Sequence, residues 1–203
     1  MRVAMHLYSF GYRHFRVPWD GGGPREELVE LVEGGRLPPG RAIDLGSGTG
    51  WNCIFLAQQG FNVTGVDYAP GAIALVRRRA AETGVAVTFG EDDLTDLHNV
   101  NGTFDLLVDY GVLDDMALTQ RDLYVQNVVP LSHPGSCFLL YCFEWQPRWW
   151  ERFHFYRMAC DPGEIERRFG PNFEIERYAE GKFNSRFMPG WAAYLMTRKG
   201  ENA

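Results

Sequence analysis

The sequence predicts an α/β fold built on a doubly wound sheet of about seven strands, mostly parallel, with one antiparallel strand near the C-terminus and helices on both faces. Three observations carry that expectation. From Arg41 onward, short runs rich in branched and aromatic residues alternate with longer segments of helical character. The first such run, "RAIDLG", passes directly into a glycine-rich turn and then a helix. The last two runs, "NFEIERYAE" and "AAYLMTRKG", follow one another without a helix between them and are close enough to pair antiparallel.

Each element has its own signals. "PREELVELVEGG" reads as a helix: Pro24 suits its first turn, the early acids suit its positive end, and Gly34 and Gly35 stop it. "RAIDLG" is a short buried strand and "WNCIFLAQQG" a helix with a glycine stop. "NVTGVDY" is a strand, and "PGAIALVRRRAAETG" is a helix opened by proline and closed by glycine. "VAVTFGEDDL" runs from a strand into an acidic turn, and "TFDLLVDYG" is a further strand. "TQRDLYVQNVVPLS" is a helix ending near Pro130, "GSCFLLYCF" a buried strand and "DPGEIERRFG" a short helix.

Composition narrows the classes. A chain of 203 residues suffices for one globular domain with a full core. It is read as a single unit over 1–203, with an N-terminal cap over 1–40 and a core over 41–203 that carries an aromatic insertion near 143–160. A net charge of −6 argues against nucleic acid as a partner, which would require a basic face. The basic run Arg77 to Arg79 falls on a helix and reads as a solvated face. Cys53, Cys137, Cys142 and Cys160 are scattered without a C-x-x-C pair or zinc spacing, so buried thiols in a reducing compartment are expected and a metal is not. The first twenty residues hold no apolar stretch long enough for a signal or a membrane span, so a cytoplasmic protein with no membrane partner is expected.

"DLGSGTG" lies where the first strand turns into its helix. Glycines there permit a tight turn and let main chain approach a ligand closely. The dinucleotide pattern G-x-G-x-x-G fails because the third glycine comes one position early and Trp51 stands in its place. A P-loop fails as well, since Trp51-Asn52 cannot replace Lys-Ser or Lys-Thr. The segment resembles motif I of the class I methyltransferases that use S-adenosylmethionine, D/E-x-G-x-G-x-G. Asp44, Gly46, Gly48 and Gly50 match it, and Ser47 departs from the residue many relatives carry.

That resemblance, which covers Arg41 to Gly135 in four segments, implies a Rossmann-like fold and a set of cofactor contacts. Asp44, Gly46, Ser47, Gly48, Thr49, Gly50 and Asn52 would line the loop, and Asp67 would accept the ribose hydroxyls. Tyr68 would lie against the adenine, while Asp92 or Asp93, with a main-chain group of Leu94, would contact its amino group. Asp109 and Tyr110 would sit near the methionine end and the reacting centre. The N-terminal segment is similar to the small-molecule branch, which includes thiopurine and halide methyltransferases, and implies that Trp19 packs on the cofactor.

Methyl transfer from a sulfonium is an in-line displacement, so the protein has only to hold the acceptor in line and exclude water. A base is required only where the acceptor must lose a proton. No catalytic residue stands out: Tyr110 and Asp114 are candidates for orienting the acceptor, with helix capping by Asp114 and Asp115 as the alternative. After the fourth strand stand Tyr110-Gly111-Val112, not the Pro-Pro-aromatic or Pro-Cys motifs of DNA methyltransferases. After the fifth, only Glu144 would be available for the magnesium cluster of catechol-type enzymes. Trp145, Trp149, Trp150 and Phe153, with Tyr12 and Phe15, would box a flat or apolar small-molecule acceptor, or else pack on their own core. An exposed patch of that size would need a reason, such as a ligand or the second subunit of a homodimer. Two rival classes remain: a nicotinamide-dependent reductase, for which "YAEGK" has the Tyr-x-x-x-Lys spacing, and a non-catalytic cofactor binder.

Overall fold

Seven strands form one sheet in the order β3-β2-β1-β4-β5-β7-β6. The computed structural model describes residues 21–146, 159–183 and 190–200. In chain order the elements are α1 (Glu26–Glu33), β1 (Arg41–Leu45), α2 (Trp51–Gln58), β2 (Asn62–Asp67), α3 (Pro70–Thr83), β3 (Val87–Glu91) and β4 (Phe104–Tyr110). They continue with α4 (Leu118–Val128), a 3-10 turn (Val129–Leu131), β5 (Ser132–Phe143), α5 (Glu164–Phe169), β6 (Phe173–Lys182) and β7 (Gly190–Arg198). Strands β3, β2, β1, β4 and β5 run parallel, and β7 lies antiparallel between β5 and β6. The expected doubly wound sheet with one antiparallel strand is therefore the observed one.

Side chains alternate across each strand, so neighbouring residues feed opposite layers. Ala42, Val63, Leu106, Val108 and Leu139 pack with Leu28, Leu31, Phe55 and Val76 on the face covered by α1, α2 and α3. Ile43, Leu45, Leu107, Phe138 and Leu140 pack with Tyr124, Val128, Ile165 and Phe169 on the face covered by α4 and α5. Burial on both sides explains why β1 reads as a continuous apolar run, and each such side chain contributes roughly 1.5–3 kcal/mol.

The chain passes outward from β1 to β2 and β3, then returns across β1 to β4. The order reverses between β1 and β4, and their carboxyl ends frame the crevice where ligands enter such sheets. Some boundaries differ from expectation. β5 begins at Ser132, not Gly135, because Phe104 pairs with Ser132 and Leu106 with Cys137, leaving 133–136 looped out of the ladder. The Ser136 hydroxyl replaces the missing ladder bond by donating to the Phe104 carbonyl at 2.7 Å. The helix expected to reach Pro130 stops at Val128, and Pro130 lies in the single 3-10 turn that follows.

Candidate cofactor and acceptor site

Beyond β1 the chain makes a loop that its own main chain largely fixes. Gly46 and Ser47 N–H groups donate to the Val66 carbonyl at 2.8 and 2.9 Å, and Gly50 N–H to the Ser47 carbonyl at 2.8 Å. Gly50 has φ +78, and a Cβ built on it would lie 1.7 Å from Val76 Cγ2. Its bareness therefore lets α2 and α3 close on one another as well as bending the chain. The Asp67 carboxylate joins this loop to β2: Oδ2 accepts from Gly48 N–H at 2.9 Å and Oδ1 from Ala69 N–H at 2.8 Å.

One of the three arginines expected on a solvated face, Arg79, is half-buried instead. Arg79 donates to the Thr49 carbonyl at 2.9 Å, with its guanidinium 4.5 Å from the Trp51 ring centre. Arg77, which also donates to the Phe89 carbonyl, and Arg78, paired with Glu82, are exposed as expected. The rise of α3 brings residues 77 and 79 over β3 and the glycine loop, and their long stems reach main-chain carbonyls there.

Buried carboxyls crowd the carboxyl ends of β1, β2 and β4. Asp44 is 2% exposed and accepts from the Cys53 thiol; burial pushes its carboxyl up to about 7. Burial likewise raises Asp67, although the Ala69 and Gly48 N–H groups pull it back. Asp109 is raised to about 6 by burial and Asp114 to about 7. None of the four forms an ion pair with Arg or Lys among the described residues. The Ser47 hydroxyl is buried with no hydrogen-bond partner. Carboxyls without a cationic partner and an orphaned hydroxyl beside the glycine loop suit a ligand that carries positive charge and polar groups of its own.

The remaining expected residues divide. Asp92 is occupied with its own loop, its Oδ2 accepting from His98 and Asn99 N–H groups and its Oδ1 from Asp93 N–H. Asp93 Oδ1 holds Thr95, Leu94 packs into the core, and Tyr68 is half-buried beside the loop. Asp109 is fully buried at the carboxyl end of β4 and accepts from Tyr124 OH at 2.5 Å and from Val112 and Leu113 N–H groups, so its side chain braces the turn after β4. Asp114 and Asp115 do not cap the helix as the alternative expects, since α4 opens at Leu118 with no side-chain cap. Asp114 Oδ2 instead accepts from Phe143 N–H at 2.8 Å. Glu144 is spent on Arg177 at 2.6 Å and Tyr194 OH at 2.5 Å. Trp19, Tyr12, Phe15, Trp149, Trp150 and Phe153 lie outside the described residues.

Beside Tyr110 and Trp145, which the sequence singles out, the structure sets three rings it does not, Tyr141, Phe143 and Trp191, in one row across three strand ends. Tyr110 stacks on Tyr141, with centroids 4.2 Å apart and planes 10° from parallel, and Tyr141 stacks on Trp191 at 5.3 Å. Phe143 meets Tyr141 edge-on at 6.0 Å and lies 6.5 Å from Trp145. Register explains the row: Tyr110 pairs with Tyr141, and antiparallel β7 brings its first residues to the end of β5, opposing Trp191 to Phe143. Helix α1 closes the row, because Tyr110 OH donates to Glu27 at 2.6 Å and the Arg25 guanidinium lies 4.4 Å from the Tyr110 ring centre. Burial and the Glu27 bond hold the Tyr110 phenol well above its usual range, so it stays protonated at neutral pH. Arg25 N–H also donates to Asn52 Oδ1, which links the row to the glycine loop.

Arg121 was also missed. Fully buried, it donates to both oxygens of Glu164 at 3.1 and 3.0 Å and to the carbonyls of Asp114, Ala159 and Met116. It thereby fastens the turn after β4 to the chain returning ahead of α5. The Tyr-x-x-x-Lys spacing of Tyr178 and Lys182 falls on edge strand β6, not on a helix, and Tyr178 OH donates to Glu30. Among the described residues no helix is long and apolar enough to cross a membrane.

Residues 42–135 match the model of a methyltransferase-domain family. Over 130 residues the chain is 32% identical to 2-heptyl-1-hydroxyquinolin-4(1H)-one methyltransferase of Mycobacteroides abscessus, covering 64% of this chain and 57% of that protein. It is 32% identical over 122 residues to probable thiol methyltransferase 2 of Arabidopsis thaliana, covering 59% and 53%. The chain thus spans little more than half the length of these relatives. Its fold is similar to that of Burkholderia thailandensis 1,6-didemethyltoxoflavin-N1-methyltransferase, solved with S-adenosylhomocysteine, at TM-score 0.74 and 18% identity over 98% of this chain and 88% of that one. A structure described under conversion of a disulfide bond into a thioacetal group in echinomycin biosynthesis gives TM-score 0.77 at 21% identity, covering 96% and 93%.

Proposed function

We propose, from the premise that this chain is a class I, S-adenosylmethionine-dependent methyltransferase domain, that it methylates a small, flat, aromatic acceptor seated on the Tyr110–Tyr141–Trp191 row. The observation that carries the reading is the position of that row, at the same end of the sheet as the glycine loop and joined to it through Arg25 and Asn52. S-adenosylmethionine, when bound, supplies a methyl group on a sulfonium, already activated toward an acceptor lone pair. Asp44, Ser47, Gly48 and Asp67 would hold it, with Asp93 and Leu94 toward its adenine. Asp93 is favoured over Asp92 because Asp92 already accepts three N–H groups of its own loop, two of them on Oδ2, whereas Asp93 engages its loop through Oδ1 alone.

Stacked rings orient a flat molecule with little entropy to lose, and orientation with exclusion of water supplies much of the catalysis such a displacement needs. The quinolone in the name of the Mycobacteroides abscessus relative has the flat ring that this row would accept. Residues 1–40 are read as a cap, an assignment supported by the contacts of Arg25 and Glu27 with Asn52 and Tyr110.

Calorimetry with S-adenosylmethionine and S-adenosylhomocysteine tests the first half, and absence of uptake would end the reading. Tyr141→Ala and Trp191→Ala test the second. The expected result is a drop of about tenfold or more in kcat/KM for a flat acceptor such as 2-naphthol, with S-adenosylhomocysteine affinity held within about threefold. Parallel loss of both quantities would place the row in the fold and not in acceptor binding.

A further inference from the structure

We propose that Asp114 is the proton acceptor of this site, and that its acceptors are molecules whose nucleophilic atom carries a dissociable proton, a hydroxyl or thiol on a flat ring. The proposal rests on the methyl-transfer reading above. Asp114 lies four residues past the end of β4, and its Oδ2 takes the N–H of Phe143, the last residue of β5. The β4 ladder has already ended at Tyr110, opposite Tyr141. The carboxyl thus stands where β4 would have continued, at the foot of the aromatic row.

Its other oxygen, Oδ1, is buried with no hydrogen-bond partner. A Cβ built on Gly111 would lie 3.8 Å from Oδ1, so the bare main chain of Gly111 is what borders that oxygen on this side. The charged and titratable groups around the carboxyl supply no cation to it. Asp109 and Asp115 repel the ionised form, and Tyr124, Tyr141 and Cys142 are themselves held in their neutral forms. The Arg121 guanidinium bonds the Asp114 main-chain carbonyl, not its carboxyl, and is otherwise committed to Glu164 and other carbonyls. A purely structural staple accounts for Oδ2 and leaves Oδ1 without a purpose; an asparagine would serve the staple equally well. Burial raises the carboxyl to about 7, where a group both takes and releases a proton near neutrality.

The step is one proton transfer. The acceptor's X–H bond breaks, its electron pair stays on X, and the proton forms an O–H bond at Oδ1. The pair left on X is the one that receives the methyl group, and Asp114 returns its proton to solvent afterwards.

The test compares wild type with Asp114→Asn on 2-naphthol, which is protonated at neutral pH, and 4-nitrothiophenol, which is already ionised. Wild type should show kcat/KM for 2-naphthol rising through a limb near pH 7. The variant should lose that limb and about 100-fold in rate, consistent with removal of a general base. On 4-nitrothiophenol it should stay within about threefold, with S-adenosylhomocysteine affinity unchanged by calorimetry. In the cofactor-free protein, the fall in melting temperature between pH 5 and 8 should shrink in the variant. Equal loss on both acceptors, or a limb that survives the substitution, overturns the proposal. If the variant folds poorly, wild type decides: a limb for 2-naphthol alone supports it, and identical profiles overturn it. Wild type that binds S-adenosylhomocysteine but methylates neither compound overturns this inference and leaves the cofactor site standing, whereas no binding removes both.

Discussion

Raising the pH of the cofactor-free protein from 5 to 8 should destabilise it, and the buried carboxyls set by how much. Asp44 and Asp114 are raised from 3.8 to about 7 and Asp109 to about 6, in each case chiefly by burial. A carboxyl whose folded value exceeds its unfolded one keeps extra protons in the folded state, so the stability it lends at low pH is lost as the pH rises toward the folded value. At about 1.4 kcal/mol per unit, the window from 5 to 8 removes roughly 2–3 kcal/mol for each of Asp44 and Asp114 and roughly 1–2 for Asp109. Glu164 does not oppose this. Burial alone would raise it, but the Asp161 N–H and the guanidiniums of Arg121 and Arg168 hold it low, so its contribution is complete above its unfolded value of 4.5. Cys53, Cys142 and Tyr124 are raised further above already high values and stay neutral throughout. The sum, about 6 kcal/mol, corresponds to a melting temperature lower by on the order of 15 °C at pH 8 than at pH 5 for a chain of this size. Calorimetric melts of thoroughly dialysed protein read it directly. A flat or rising profile would refute the assignment of these groups as buried and unpaired.

Two further perturbations probe the frame of the site. Gly50→Ala combines φ +78 with a Cβ 1.7 Å from Val76 Cγ2, so a loss of about 3 kcal/mol in urea unfolding is expected, with weakened S-adenosylhomocysteine binding in calorimetry; a loss under 1 kcal/mol would contradict that packing. Arg121→Leu removes the buried cation beside Glu164, which is 2% exposed and keeps only Arg168 and the Asp161 N–H, and strands three carbonyls, for an expected loss of about 3–5 kcal/mol; Arg121→Leu with Glu164→Leu should recover part of it in a double-mutant cycle, and additive losses would show that the pair is not coupled.

Local signals carried most of the fold. The proline and glycine bounds of α3, the double-sided burial of β1 and the adjacency of the last two strands were all legible because each depends on residues close in sequence. The sequence signals start β5 three residues late because Pro134 and Gly135 resemble a break; the strand survives by looping 133–136 out and letting Ser136 bridge the gap. The glycine loop was legible for the same local reason as α3. Tyr141 and Trp191 were not, since their stacking depends on β7 inserting between β5 and β6, and strand order is a long-range property. A residue at the end of one strand and another at the start of its antiparallel neighbour share an edge, and that rule would have found them once the order was known. The bracing role of Asp109 is not legible either, because a strand-end aspartate looks the same in sequence with or without a partner, and its partner here, the Tyr124 hydroxyl, lies 15 residues on.

The outermost ring of the row depends on a gap beside it. A Cβ on Gly181 of β6 would fall 2.5 Å from Trp191 Nε1, so the indole fits because its cross-strand neighbour has no side chain. The two positions are therefore one inherited unit: a lineage that fills the notch at 181 must shrink or turn the indole at 191, and with it changes the breadth of molecule that can lie against Tyr141.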